Sequence, residues 1–448
     1  MDRPSSFAPP RALYVHIPVC RSRCAYCDFH SLSSASWSPA ALEGLVDGIL
    51  ARVDGLFRRF PPDDSFLTAY IGGGTPTALP RPLLERLLQG LAVRLSRVRQ
   101  PREWTLEANP ESLDEEALDI AEAAGVTRIS LGVQSLDDGL LSRLGRIASS
   151  EVAMGAVGRA VARPGLRVSA DLISGLPRKA RPSGGLAHEV SALLEAGVGH
   201  LSIYDLTLEE GTRLHAEVES GDFCLPDPDE ALDERLEAET LLRQAGFRRY
   251  EVSNFAPEGN ESLHNLVYWH MDSYLGAGPG AVSTLVPSGS PAAAPGGRPG
   301  GRSSLRIEEG RMVPGRGQDP ALETPIGPRD SVFEAILMAY RTAFGLDEDA
   351  FEARSGLSSE VLIGRTRAAW RGRLVPAAPW PRAFAAQPAA GPSQALDSEG
   401  LDLLNRFLVD CLSELETSFP EVSGRAGPES GPVSGRAGKR YPFRDSEE

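Results

Sequence analysis

Three cysteines stand within eight residues, Cys20-Arg-Ser-Arg-Cys24-Ala-Tyr-Cys27, directly behind the first strand-like run of the chain. Thiolates are natural ligands for iron–sulfur clusters, and a cubane offers four irons. Three thiolates at this tight spacing can hold such a cluster and leave the fourth iron open to chelate a small molecule. Two plainer readings compete. A closed structural zinc site wants four protein ligands, and no fourth cysteine or histidine pair lies nearby. A thioredoxin-like dithiol would use Cys24 and Cys27 but leaves Cys20 without a role. Spacing favours the cluster over both and leaves both standing.

A second chemical signal is Gly72-Gly73-Gly74-Thr75-Pro76-Thr77. Glycines there let backbone approach a ligand without obstruction by Cβ, although a glycine triplet by itself is more often a tight turn. Both signals need elements to hold them. Short β-rich runs at Ala12–Ile17, Leu67–Ile71, Glu103–Ala108, Thr127–Leu131, Arg167–Leu172 and Leu201–Leu206 alternate with helical periodicity. The helical segments are Ala40–Phe60, Pro82–Arg97, Asp114–Ala124, Leu136–Leu144, Leu186–Ala196 and Asp229–Gln244. Ser38-Pro39 and Ser112 read as helix starts, and Gly125 and Gly197 as stops. Six strand–helix units imply a parallel sheet with crossover helices, and they fit an incomplete barrel at least as well as an open sheet. The glycine and polar signals fall just behind strands, where α/β folds build their sites.

Beyond this α/β part the sequence changes character. Residues 1–11 read as an N-terminal extension, 12–250 as the barrel and 251–285 as a connecting segment. Residues 286–328, rich in Gly and Pro, read as a flexible insertion. Helical periodicity returns at Arg329–Ala343 and Asp397–Leu415, so 329–419 reads as a small helical domain, with Val375–Gln394 weakly specified between them. Residues 420–448 read as a disordered tail.

A chain of 448 residues with a formal charge of −15 has no basic excess for nucleic acid, though a local basic pocket for a small anion remains compatible. No apolar run is long enough for a membrane span, and Met1–Arg11 lacks a signal-peptide core. Five cysteines are few for this length and are not a disulfide framework, so a reduced, cytoplasmic compartment is expected. Cys224 and Cys411 read as small buried residues.

The C-x3-C-x2-C spacing after a first strand, with Tyr26 before the last cysteine and the Gly72–Gly74 loop behind the second strand, resembles the radical S-adenosylmethionine (radical-SAM) superfamily. A closer match covers residues 12 to about 285. Leu13-Tyr-Val-His-Ile-Pro18, Glu107-Ala-Asn-Pro-Glu111, Arg128-Ile-Ser-Leu-Gly-Val-Gln-Ser135, Leu144-Gly-Arg146 and Asp171-Leu-Ile-Ser-Gly-Leu-Pro177 resemble the oxygen-independent coproporphyrinogen oxidase family. The resemblance implies an incomplete (β/α)6 barrel with a small, mainly helical C-terminal domain. It implies a [4Fe–4S] cluster on Cys20, Cys24 and Cys27, with S-adenosylmethionine (SAM) on the open iron. It also implies SAM contacts at Tyr14, Gly73, Gly74, Thr75, Glu107, Gln134, Arg146 and Asp171, with Asp205 near the same ligand. Taken singly, each of these is more often a surface or capping residue; the ordered set carries the likeness.

Two branches of that family differ at one position. Coproporphyrinogen dehydrogenases carry a further cysteine two residues after the third ligand, whereas this chain reads Cys27-Asp28-Phe29. Cys-Asp-Phe is similar to the HemW-type heme chaperones, as are Arg249-Tyr-Glu-Val-Ser-Asn-Phe255, Tyr204-Asp-Leu-Thr-Leu-Glu-Glu-Gly-Thr212, Leu275-Gly-Ala-Gly278 and His264-Asn-Leu-Val-Tyr-Trp269. The likeness implies heme as a further cofactor, His264 as heme-associated, a heme-acceptor protein and an electron donor for the cluster. Imidazole is a common axial ligand of heme iron, and Tyr268 and Trp269 could pack on a porphyrin; a lone histidine beside aromatics is otherwise a hydrogen-bonded core residue. The enzyme alternative is decarboxylation of coproporphyrinogen III, and a third reading is a SAM-dependent enzyme of unrelated substrate. A carrier is favoured over the dehydrogenase, and a dimer is as compatible with the sequence as a monomer. The chain departs from the family pattern at Ile147-Ala148-Ser149, where a His is usual, and at Arg178-Lys179-Ala180, where Gly-Gln-Thr is usual.

Overall fold

The structure is a computed structural model and describes residues 7–177, 185–288, 303–313, 316–384 and 393–418. The expected N-terminal extension falls partly outside these residues, as do Arg178-Lys179-Ala180, and the expected tail at 420–448 falls wholly outside them.

Six parallel strands lie side by side in chain order: β1 (Ala12–Ile17), β2 (Thr68–Gly73), β3 (Glu103–Ala108), β4 (Arg128–Gln134), β5 (Arg167–Ser174) and β6 (His200–Asp205). Their side chains alternate between two environments. Leu13, Val15, Ile17, Ile71, Trp104, Leu106, Ile129, Leu131, Val168, Leu172, Leu201 and Ile203 form one apolar core with the surrounding helices. The opposite face is polar. Tyr14 pairs in register with Tyr70 and that with Thr105, Glu107 with Ser130 and that with Ser169, and Gly132 with Asp171 and that with Ser202. The curled sheet thus has an oily outer wall under helices and a polar lumen, the incomplete (β/α)6 barrel that the family resemblance implies, where the strand–helix alternation alone leaves an open sheet standing.

The crossover helices are α1 (Pro39–Arg59), α2 (Arg81–Ser96), α3 (Glu115–Ala124), the short α4 (Asp138–Arg143), α5 (Ser150–Val161) and α6 (Gly185–Glu195). Ser38 caps α1 by accepting from Ala41 N with Pro39 at the first turn, as the sequence suggested. The cap of α3 is Asp114 rather than Ser112, which sits in a preceding 3-10 turn and bonds Thr77 instead. Helix α5 carries no expectation from the sequence. Its Gly and Ala residues leave only Ala153, Ala156, Val157 and Ala160 as a buried stripe, too small to stand out as periodicity.

The sheet then grows beyond the barrel at both edges. Helices α7 (Arg213–Glu219) and α8 (Pro228–Gln244) lead to β7 (Arg248–Arg249) and β8 (Asn254–Ala256), which pair antiparallel beyond β6. Helix α9 (Leu263–Trp269) leads to β9 (Tyr274–Ala277), a seventh parallel strand on the outer side of β1. Antiparallel strands β10 (Val282–Leu285), β11 (Ser304–Glu308) and β12 (Leu322–Ile326) extend that edge. This corrects the reading of 286–328 as a flexible insertion: its described residues hold a hairpin of the main sheet and a smaller pair, Met312–Val313 with Gly317–Gln318. Residues 289–302 and 314–315 lie outside the described residues. Strand pairing supplies the order here, and short, half-exposed strands between Gly and Pro show no period to a reader of sequence.

The C-terminal helices are α10 (Pro328–Tyr340), α11 (Glu348–Ser355), α12 (Ser359–Ala369), α13 (Ser398–Asp402) and α14 (Leu404–Ser418). The single helix expected at Asp397–Leu415 is broken at Leu403, and Leu374–Pro376 pairs with Gln394–Leu396 in the stretch expected to be weakly specified. Ile336, Tyr340, Phe351, Leu362, Phe407, Cys411 and Leu415 form their core, so Cys411 is buried as expected; Cys224 is exposed, contrary to expectation. No helix among the described residues is long and apolar enough to cross a membrane.

One ionic knot ties this unit to the base of the barrel. Asp272, just before β9, lies 2.6 Å from Arg11, 3.0 Å from Arg354 of α11 and 3.1 Å from His270, whose other ring nitrogen is 3.5 Å from Asp347. Burial pushes Asp272 up, but His270, Arg354 and Arg11 outweigh it and hold the carboxyl well below its ordinary range. Removing one partner of a buried ion pair strands the others. Asp272→Ala is therefore expected to cost about 3–5 kcal/mol in chemical denaturation, far more than a surface carboxylate would. A loss under 1 kcal/mol, about the value of a surface pair, would show that the knot is not structural.

Candidate functional site

The three cysteines follow β1 at the carboxyl end of the strands. Cys20 ends a two-residue strand, Val19–Cys20, paired with Leu32–Ser33, so the loop carrying Cys24 and Cys27 is closed at its base. Its middle is pinned by backbone: Ala25 N donates to Leu144 O at 2.8 Å, and Leu214 N donates to Ala25 O at 2.9 Å. All three thiols are free and partly exposed. Among the described residues no three His, Cys, Asp or Glu side chains converge on a single ion. A cluster that meets each thiolate through its own iron needs no such convergence, so the donor set fits a cubane better than a mononuclear zinc site.

Groups that favour a negatively charged sulfur surround the loop. Arg146 Nη1 is 3.5 Å from Cys24 Sγ, and Thr75 Oγ1 is 3.8 Å from Cys20 Sγ. Asn109 joins the two, donating to Thr75 Oγ1 at 3.0 Å and accepting from Arg146 Nη2 at 2.9 Å; the same Nη2 donates to Gly132 O at 2.6 Å. Burial pushes the thiols of Cys20 and Cys27 up, so they are protonated at neutral pH and must lose their protons to bind iron.

The glycine loop is not a generic turn. Gly73 has φ of +106°, and a Cβ there would strike the His16 ring. A Cβ on Gly74 would lie 2.6 Å from Val19 O and 2.7 Å from Ile17 O, since Gly74 N and Thr75 N donate to those two carbonyls. Only glycine lets this loop lie against the cysteine segment and carry Thr75 to Cys20.

Behind the loop lies the polar lumen. Glu107 receives Tyr70 OH at 2.5 Å and Gly73 N at 3.0 Å. Burial raises its pKa to about 7, against the pull of those two hydrogen bonds and with help from Asp171. Burial likewise raises Asp171 to about 6, although Ser202, Arg128 and Arg146 favour its charge. Tyr14 stands 3.0 Å from His16 Nδ1. Gln134 ends β4 in the left-handed region at φ of +71°, beside an irregularity in the β4–β5 register. A glutamine held there costs about 1–3 kcal/mol, a strain that clusters at sites. Asp205, at the exposed end of β6, accepts from Ser174. The structure therefore gathers Gly73, Gly74, Thr75, Glu107, Gln134, Arg146, Asp171 and Asp205 on the carboxyl half of one polar surface, with Tyr14 midway down it, its ring 6.5 Å from that of His264.

His264 does not join them. It lies in α9 at the opposite, amino-terminal end of the strands, 1% exposed, with Nδ1 2.8 Å from Thr68 Oγ1 and Nε2 2.7 Å from Tyr268 OH. Its ring stacks on Tyr70 with centroids 4.9 Å apart, and burial lowers its pKa to about 3. Both ring nitrogens are engaged, so in this arrangement the residue expected to be heme-associated sits as a hydrogen-bonded core histidine that floors the lumen. Tyr268, half-buried, packs edge-on against it, and Trp269 stacks under Arg341. Sequence reasoning assigned no roles to Asn109, Tyr70, His16 or His30. His30 accepts from Met312 N at 2.9 Å and its carbonyl lies 2.9 Å from His16 Nε2, which links the 303–313 strands to the cysteine loop. Asn109 and Tyr70 were legible as polar residues at strand ends; the His30 contact spans 282 positions and was not.

Residues 14–181 match the radical SAM superfamily. The chain is 32% identical over 358 residues to the heme chaperone HemW of Escherichia coli K12, spanning 79% of this chain and 88% of that protein. The chain belongs to the HemW family of radical-SAM proteins. It is also 41% identical over 290 residues to the mouse mitochondrial radical S-adenosyl methionine domain-containing protein 1, where it spans 64% of this chain but only 63% of that relative. The fold is similar to that of coproporphyrinogen III oxidase (HemN) of Escherichia coli, with a TM-score of 0.66 over 90% of both chains at 18% identity. Membership of the superfamily implies a [4Fe–4S] cluster and SAM, and the cysteine loop and lumen just described suit both.

Burying Glu107 also has a thermodynamic cost. Its folded pKa of about 7 exceeds the ordinary 4.5, so between those values the folded chain holds a proton that the unfolded chain has released. Stability therefore falls as pH rises through that window and stays reduced above it. Glu107→Gln is expected to stabilise the protein by an order of 1–3 kcal/mol more at pH 8 than at pH 5 in paired urea melts. An equal effect at both values would show that the carboxyl titrates normally.

Proposed function

We propose that this chain is a heme chaperone that carries a [4Fe–4S] cluster on Cys20, Cys24 and Cys27, binds SAM and heme, and passes heme to an acceptor protein. The observation that carries the reading is the residue after the cluster loop. Where the decarboxylating branch has a cysteine, this chain has Phe29, and that side chain is 70% exposed beside the cysteines. A large apolar ring facing solvent at that point suits an apolar cargo such as a porphyrin. The heme chaperones among its relatives support the same branch.

In this reading the bound cluster would supply the open iron that chelates SAM and the electron that can cleave it. The chain's own residues do the remaining work. Arg146 lies between Cys24 and the Asn109–Thr75 bridge; its Nη2 is committed to Asn109 and Gly132, and its Nη1, held only by a 3.5 Å contact to Cys24, can meet a carboxylate. Glu107 and Asp171 can accept from ribose hydroxyls, and their raised pKa values make both partly protonated near neutrality. Gly73 and Gly74 bring backbone close to the ligand, while Gln134 and Asp205 border the mouth. His264 contributes from below, holding Tyr70 and Tyr268 in place rather than meeting the iron. An electron donor would serve the cluster, and the free thiols are suited to a reduced compartment such as the cytoplasm.

Replacing Cys20, Cys24 and Cys27 together by Ala is expected to abolish the iron and sulfide content and the brown chromophore of the anaerobically reconstituted protein. Retention of both in that variant sinks the cluster assignment. An anaerobic heme titration, read at the Soret band, is expected to show saturable binding by the reconstituted chain. His264→Phe should lower stability yet leave the Soret position unchanged, because in this reading both imidazole nitrogens stay with Thr68 and Tyr268 and do not meet the iron. No heme binding by a protein with an intact cluster would favour the decarboxylating reading instead, with consumption of coproporphyrinogen III as its direct assay.

A further inference from the structure

A second cavity opens at the end of the barrel far from the cysteines. It has a volume of about 210 Å³ and is lined by Arg128, Val161, Leu166, Arg167, Val168, Gly197, Gly199, His200 and Asn260. Arg128, Arg167 and His200 are the first residues of three neighbouring parallel strands, β4, β5 and β6; Arg128 is in register with Arg167, and His200 with Ser169, two residues along.

Their charges and hydrogen bonds do not close among themselves. Arg128 faces the buried carboxylate of Glu103 at 3.4 Å and the Asn260 carbonyl at 3.2 Å, and its charge is thereby balanced. Arg167 meets only the Gly259 carbonyl, at 3.4 Å, and has no carboxylate partner among the described residues. His200 is 3% exposed. Ser262 N donates to Tyr250 OH at 3.1 Å, and that hydroxyl lies 2.8 Å from His200 Nε2. With Tyr250 donating onward to Nε2, the neutral imidazole carries its proton on Nδ1, and Nδ1 is buried without a partner. An orphaned buried donor costs about 1–3 kcal/mol, so one that persists beside a cavity marks a place for an acceptor.

We propose that this cavity is a binding site for a small oxyanion, a phosphate or carboxylate group, held by the Arg167 guanidinium and the Nδ1–H of His200. Arg167 supplies the unbalanced charge and a planar fork of donors, and His200 supplies the buried directional bond. Val161, Leu166 and Val168 also line the cavity, so an anion with a short apolar body fits as well as a bare ion. The site is independent of the cluster and of any heme carried.

The test uses the full chain and two probes, inorganic phosphate and acetate, each titrated against sodium chloride at matched ionic strength. Melting temperature is one readout and the His200 Nδ1–H resonance the other. A saturable rise in melting temperature is expected with at least one probe, together with a shift of that resonance. Phosphate alone, acetate alone or both identify the anion class and support the site. Arg167→Ala, at a half-exposed position, is expected to weaken the response by about 10–100-fold, the worth of one charge-assisted hydrogen bond. Arg167→Lys should restore part of it. A response no greater than that to chloride overturns the proposal, and so does an equal response in Arg167→Ala. Should the variant not fold, the resonance of the unaltered protein decides alone: an Nδ1–H unmoved at saturating anion overturns the assignment.

Discussion

The six parallel strands all turn their apolar side chains outward and their polar ones inward, and the rest of the molecule follows from that alternation. Leu13, Val15 and Ile17 on β1 pack under helices while Tyr14 and His16, between them, face the lumen. Parallel sheets in α/β proteins are usually apolar on both faces, because helices cover both. Here helices cover only the outer face, and the inner one must satisfy its polar groups with one another or with a ligand. Tyr70 and Gly73 do so for Glu107, Ser202 for Asp171, and Asn109 for Thr75 and Arg146.

That lumen is closed at one end and open at the other. Helix α9 brings His264 and Tyr268 beneath Tyr70, and Glu103 accepts the His264 backbone N–H, so the amino-terminal end is floored by satisfied polar groups beneath β1 to β3, while the cavity at Arg167 and His200 lies at the foot of β4 to β6. At the carboxyl end the cysteine loop and the glycine loop lie against each other through backbone bonds, with thiols left partly exposed. The asymmetry sets the electrostatics of Glu107 and Asp171: each carboxylate has protein hydrogen-bond partners, yet its loss of water outweighs them and raises its pKa.

The edges of the sheet are where this chain departs from a minimal barrel. Strands β9 to β12 continue it past β1, and Met312 of that extension donates to His30 behind the cysteine loop. Asp272 at the start of β9 gathers Arg11, His270 and Arg354, so one buried carboxylate ties the first strand, the added strand and the C-terminal helices together.

Much of the site was legible before any coordinates. Cys20, Cys24 and Cys27, the Gly72–Gly74 loop and the polar residues at strand ends are local patterns, and a strand's side-chain direction follows from its period of two. Given six strands in chain order, their carboxyl ends must share one rim, and the residues there must meet. What no local pattern encodes is pairing between distant segments and the direction a buried ring takes. The family resemblance made His264 heme-associated; in the fold Thr68, 196 positions away, takes one ring nitrogen and Tyr268 the other. Likewise Ser112 read as a helix start, but its hydroxyl meets Thr77 and Asp114 caps the helix. Residue type and spacing determined which chemistry this chain could carry; tertiary contacts decided which polar groups were satisfied and which were left open, because a hydrogen bond is spent on whatever partner the fold brings nearest.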